Sequence, residues 1–453
     1  MALAPPLRRP APSSPVLAVV AVVALLALPV RPGGEGGAGP ADALSALVVG
    51  FCAVRLLRTR RRPLSRTAAV VLGLPVAGLA LAAMNAASPG AAFTGLGRYL
   101  QVFVLVPAAV LLLIRDRRDF RLLAWSFVGL ALWQGAVGVH QYLTRTGASY
   151  QGEDIRAVGT FGPTDVMGMA MAVSLGLVCA VGLALGRSSF GVRAAASGCA
   201  LALLPPLALS FSRGAWIATA LTVATQLVLA GPRRALRIGT ATVAAGVVLV
   251  GGLGVGTAML QERIDSIARV TNAPDQSVTD RYTMWAAAAG MWQAHPLTGV
   301  GLKGFPDHRD AHASLALSSG SDTEGAGAAY RRQPLLSPHN MYLLVLGEQG
   351  PTGLLGLVGG WLALLVCGLR GLRQVRTAGG RGLECALIGC GLLVWQLVDF
   401  VYADIGGRST VLTAVCLGLV AWWSLVGGPG AAPAGSAPVT PERGTVPGEA
   451  ALR

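Results

Sequence analysis

Three polar stations interrupt an otherwise apolar chain, and each carries side chains able to do chemistry. In LSFSRGAWIA (209–218), Ser212, Arg213 and Gly214 form the break between two apolar runs. A tight helical hairpin needs small residues but no arginine. A guanidinium there offers a planar fork suited to phosphate oxygens; the other reading is an arginine that snorkels to the interface. In RYTMWAAAAGMWQAHP (281–296), Arg281 opens a helical pattern, and its alternative reading is a solvated loop arginine. In SPHNMYLLVLGEQGPTGLLG (337–356), His339 and Asn340 stand at the mouth of an apolar run that carries Glu348. An imidazole near its ordinary pKa of about 6.5 can take a proton from a hydroxyl, although a lone histidine at a membrane boundary is more often a bystander.

Glu348 falls on the opposite face of a straight helix from His339, roughly 13 Å along its axis, and so is not its direct partner. It is expected to brace an arginine or a backbone opening, because Gly347, Gly350, Pro351 and Gly353 invite a local break. Arg331 and Arg332, close to the same apolar boundary, are further cations able to meet anionic groups. Converging arginines can hold a diphosphate and stabilise it as a leaving group without a metal.

The elements that must position these groups are membrane helices. Of 453 residues, 53% are hydrophobic and 13% charged, against about 25% charged in an average soluble domain. A hydrocarbon core asks for about 20 mostly apolar residues per helix, and about twelve segments meet that. They lie near 14–30, 41–57, 66–84, 98–114, 121–143, 164–186, 192–211, 213–230, 236–257, 340–369, 382–401 and 408–427. The fold class expected is therefore all-α, a polytopic bundle with one large outer loop. Arg8 and Arg9 before the first run resemble the start of a signal peptide, but no clear cleavage site follows, so a retained first helix is expected. The formal charge of +15 could suggest nucleic acid as a partner. However, the arginines cluster in every second loop (55–66, 115–121, 186–193, 231–237, 370–381), the pattern of membrane topology. Both termini are then cytoplasmic.

The chain divides into residues 1–257 with nine helices, an outer loop over 258–337, three helices over 338–427, and a Pro, Gly and Ala-rich tail over 428–453 read as disordered. Loops of that size are usually functional. Within it, 281–296 is expected to be an amphipathic helix ended by Pro296, lying either at the membrane interface or against the protein body. Residues 314–334 show no periodicity and are read as a mobile excursion. The seven cysteines form no CxxC motif and read as buried small hydrophobes. DHRDAH (307–312) spaces His308 and His312 four apart, but Arg309 stands where a zinc-protease motif has its glutamate, and no metal ligand set is assigned. No P-loop, dinucleotide fingerprint or nucleophile elbow occurs.

SRGAW (212–216), Arg281 followed by HPLTGVGLKGF (295–305), and HNMYLLVLGEQGPTGLL (339–355), in this order around a long outer loop, resemble the O-antigen ligase and polymerase family of bacterial membrane proteins. GTFGPTDVMGMAMA (159–172) looks like a further family motif, with GPTD at an altered position that puts any role of Asp165 in doubt. The resemblance implies a glycosyltransferase at the outer face of the cytoplasmic membrane, passing a glycan from a polyprenyl diphosphate carrier to a hydroxyl on a glycan, lipid or protein acceptor. It also implies donor-diphosphate roles for Arg213 and Arg281 and acceptor activation by His339. Asn340, Glu348, Arg331 and Arg332 would support them, with no cofactor. Ligase and polymerase use the same chemistry and are not separated. A solute transporter is the rival reading, disfavoured because no internal repeat is evident and the polar residues lie at the outer edge.

Overall fold

The computed structural model describes residues 14–29, 39–59, 64–150, 156–163, 165, 167–233, 235–237, 240 and 276–427. Among them, eight helices are long and apolar enough to cross a membrane. In chain order they contain α2 (Pro40–Thr59), α3 (Arg66–Met84), α4 with α5 (Pro89–Leu100 and Val106–Leu113), α6 (Arg117–Thr144), α7 (Gly168–Leu185), α8 with α9 (Phe190–Ala202 and Leu204–Leu209), α10 (Arg213–Ala230) and α13 (Met341–Thr377). The other four of the about twelve expected segments are shorter helices or lie outside the described residues. The first expected segment becomes the nine-residue α1 (Leu17–Leu25). The last two become α14 (Leu383–Asp399) and α15 (Thr410–Leu425), of 17 and 16 residues. Apolar composition extends beyond the hydrogen-bonded helix in each of these, so the runs overstate helix length. The ninth segment, 236–257, and the tail, 428–453, lie almost wholly or wholly outside the described residues.

The core is built round α7, buried along nearly all its length between α6, α10 and α14. Close helix crossings rest on small residues, as expected where lipid gives no hydrophobic drive between helices. A Cβ at Gly78 of α3 would lie 2.4 Å from the Gly353 Cα of α13, and one at Gly356 would lie 2.7 Å from the Leu74 carbonyl oxygen. Between α4 and α5 the backbone widens into a π-helical turn over Gln101–Leu105. There the Gln101 amide donates to the Asp42 carboxylate (3.2 Å) and to Ser45 Oγ (2.8 Å).

The longest helix, α13, is broken. Pro351 has no N–H to offer the Gly347 carbonyl, and Gly350 adopts φ +66°, ψ −169°, a conformation open essentially to glycine alone. The opened turn is closed by chain from the outer loop. Val300 N donates to the Gly347 carbonyl (2.9 Å), Gly301 N to that of Glu348 (3.0 Å), and Leu302 N to that of Ala82 at the end of α3 (3.2 Å). Phe305 N donates to Glu348 Oε1 at 3.3 Å. The freed carbonyls are thus satisfied inside the protein, as a membrane setting demands.

The outer loop is more regular than its composition suggests. α11 (Gln276–Ala294) starts five residues before Arg281 and packs Met284, Ala287, Ala288 and Met291 against Val300, Phe305, Leu335 and Leu344. It packs against the protein body, one of the two expected positions. α12 (Phe305–His312) follows. Residues 314–334, expected to be an irregular excursion, instead contain β2 (Ser321–Gly325) and β3 (Ala328–Gln333). With β1 (Ala148–Tyr150) they form an antiparallel sheet in the order β1, β2, β3. The fold is therefore not purely helical. The two-residue turn places Ala326 at φ +51° and Gly327 at φ +81°, the primed geometry that suits a hairpin. None of the seven cysteines is in a disulfide; Cys199 and Cys367 are half-buried and the others buried.

Candidate active site

The site assembles around the turn that joins α14 to α15, residues 400–409. Four separate parts of the chain are fastened to it. Asp165, entering α7, accepts from Ser409 N (2.8 Å) and Ser409 Oγ (3.1 Å). Burial of this carboxyl outweighs those bonds and raises its pKa. Arg98 of α4 donates to the Gly407 carbonyl at 2.9 Å while paired with Asp42. The start of α10 packs on Tyr402, whose Cβ would lie 3.3 Å from a Cβ at Gly214. Finally, Met341 N donates to the carbonyls of Phe400 (2.9 Å) and Ala403 (3.0 Å), which seats the start of α13.

His339 lies one residue outside that start, with its backbone in the left-handed region at φ +48°. Asn340 caps α13, its side chain accepting from Leu343 N at 3.0 Å. This turns the His339 side chain away from the helix axis toward Asp404, whose Oδ2 is 3.9 Å from Nδ1. The same Asp404 oxygen accepts from Ser337 Oγ, and Gly406 N donates to Oδ1 at 3.0 Å. The carboxylate is thereby held nearly buried, while 48% of the His339 side chain remains open. On its enclosed side, burial pushes the imidazole pKa below 6.5; Asp404 raises it and the Arg281 charge lowers it further. The neutral, proton-accepting imidazole is favoured at neutral pH.

Arg281 is thus close enough to act electrically on His339, and Trp285, one turn on in α11, donates its indole N–H to the Pro338 carbonyl at 2.9 Å. Arg213 is the first residue of α10, exposed, with Ser212 accepting from Ala215 N as the N-cap. The next residue, Gly214, packs on Tyr402 of the turn. Glu348 is buried one helical stretch deeper, against Phe305, and belongs to the break in α13. Arg331 and Arg332 lie on β3, where Arg332 is 3.5 Å from Asp322. His308 is engaged with the Gly304 carbonyl (2.9 Å), and among the described residues no group of three or more His, Cys, Asp or Glu side chains could hold a metal ion.

Sequence reasoning missed Asp404. It sits 65 residues beyond His339, in the short connection between the last two apolar segments. A single acid between two apolar runs, ahead of a Gly-Gly turn, was the signal available.

Eight long apolar helices around such a polar end define a multi-pass helical membrane protein. Residues 198–358 match the Wzy_C family model, described as O-Antigen ligase. At family level this means glycosyl transfer of the ligase or polymerase type, on lipid-linked glycans. The matched stretch contains Arg213, Arg281, Arg331, Arg332, His339, Asn340 and Glu348, and ends before Asp404. No curated protein matches the chain.

Proposed function

We propose that this protein is an inverting, metal-independent glycosyltransferase that moves a glycan from a polyprenyl diphosphate to an acceptor hydroxyl at the outer face of the cytoplasmic membrane. The observation that carries the reading is the neutral-favoured His339, partly open, 3.9 Å from the Asp404 carboxylate and lying within the field of Arg281. In the reaction the acceptor oxygen attacks the anomeric carbon and its proton passes to His339. The bond from that carbon to the carrier phosphate breaks, and its electron pair leaves with the diphosphate. Arg281 and Arg213 meet the charge that develops on the leaving group. A single displacement inverts the anomeric centre. Asp404 acts as a positioning residue, fixing the imidazole and countering the imidazolium that forms.

Transfer from a purified polyprenyl-diphosphate glycan, in detergent and with chelator present, tests this. Wild-type protein is expected to release the carrier diphosphate in step with product. His339→Ala is expected to be slower by roughly 10²- to 10⁴-fold, the usual worth of a general base. Full activity in that variant, or loss of wild-type activity on chelation, would overturn the mechanism. The same assay, run with a second repeat unit or with a foreign acceptor, separates polymerase from ligase.

A further inference from the structure

At the end of the bundle away from His339 lies a cleft of about 660 Å³ lined by Gly186, Arg187, Ser188, Arg193, Arg233 and Arg237. Its residues continue from the far ends of the same helices that carry the candidate active site: α7 runs from the Asp165 end to Gly186, and α10 from Arg213 toward Arg233. Its size falls in the range of about 300–1,000 Å³ typical of ligand sites. Among the described residues, four guanidiniums line it and no carboxylate does. The nearby acid, Glu384, faces Arg121 at 3.7 Å.

Two of these arginines are held by the backbone. Arg187 Nη1 donates to the Gly379 carbonyl at 2.6 Å, and Arg193 Nε to that of Ala184 at 3.2 Å. Each guanidinium has five N–H donors, so most remain for another partner. The turn after α13 is shaped around Arg187: Gly379 and Gly380 have φ of +83° and +75°, and a Cβ at Gly380 would come 2.8 Å from Arg187 Nε. A loop arginine serving only to set topology needs no such seat. In addition, the buried Ser188 hydroxyl, also lining the cleft, has no hydrogen-bond partner among the described residues.

We propose that this cleft binds the headgroup of a phospholipid bearing two phosphate groups, in the leaflet opposite the His339 end. Four cations in one concave site call for at least two negative charges, and phosphate oxygens match both the guanidinium forks and the serine hydroxyl. The inference does not depend on the transfer reaction.

Native mass spectrometry of the full chain, released from nanodiscs containing equal diphosphatidylglycerol and phosphatidylcholine, is the test. One or more diphosphatidylglycerol molecules are expected to remain bound, with retention about tenfold lower in Arg193→Gln/Arg237→Gln. Arg373→Gln, which removes a charge from the end of α13 outside the cleft, is expected to retain the lipid. An equal loss in Arg373→Gln, or equal retention of phosphatidylcholine, would overturn the proposal. So would displacement of the lipid by millimolar inorganic diphosphate, which would make a free anion the ligand. The thermal midpoint of the double variant on the same preparation reports whether it is folded.

Discussion

At the scale of single residues, the site turns on two opposed charges acting on one imidazole. Asp404 favours the protonated His339 and Arg281 disfavours it. If the unprotonated imidazole is the working form, activity falls as pH drops through the His339 pKa, which lies below 6.5. Removing Asp404's charge lowers that pKa, so in Asp404→Asn the acid limb of kcat/KM should move to lower pH. Removing Arg281's charge raises it, so in Arg281→Gln the limb should move to higher pH. Profiles measured between pH 4.5 and 8 check both signs, and shifts in the same direction would remove the electrostatic account. The sequence singled out the histidine and the two arginines as candidates, although on their own they competed with bystander readings and rose only through the motifs around them. Asp404 was not, because two helices separate it from His339 and the two come together only after α14 folds back beside α13.

At the scale of elements, the broken α13 governs the shape of the active end. The glycines and proline announced a break in the sequence, and the structure identifies what fills it: residues 300–302, whose amides replace the missing helical donors. Gly350→Ala would put a Cβ 2.4 Å from the Leu297 carbonyl oxygen in a glycine-only conformation. It should cost about 3 kcal/mol or more, read as a lower thermal midpoint in detergent. Gly359→Ala, whose Cβ would meet nothing within 4 Å, should leave that midpoint unchanged. The hairpin 321–333 escaped the sequence because its strands are short and polar and do not alternate; the register comes from the tight turn and from pairing with β1, more than 170 residues earlier.

At the scale of the whole molecule, the spacing of arginine-rich loops foretold which helix ends lie together, and the contacts agree: Arg187 reaches Gly379, and Arg117 reaches the Arg381 carbonyl at 2.9 Å. Hydropathy also located the spans, although on its own it does not separate a full crossing from a short buried helix such as α1. The orientation makes a separate prediction. A cysteine placed at Arg331 should be labelled in intact cells by a membrane-impermeant maleimide, and one at Arg373 only after permeabilisation. The reverse pattern would invert the topology and with it the face proposed for transfer.

The splice between residues 300–302 and the helix ends at Ala82, Gly347 and Glu348 is made of main-chain groups alone. Gly299 and Gly301 are tied to their identity because any added Cβ would press on neighbouring backbone, and Val300 and Leu302 because their side chains are buried in the core. The exposed side chains beside them, Leu297 and Lys303, carry none of the frame. Substitution at these two exposed positions therefore changes the chemistry of the outer surface while the frame beneath it stays intact.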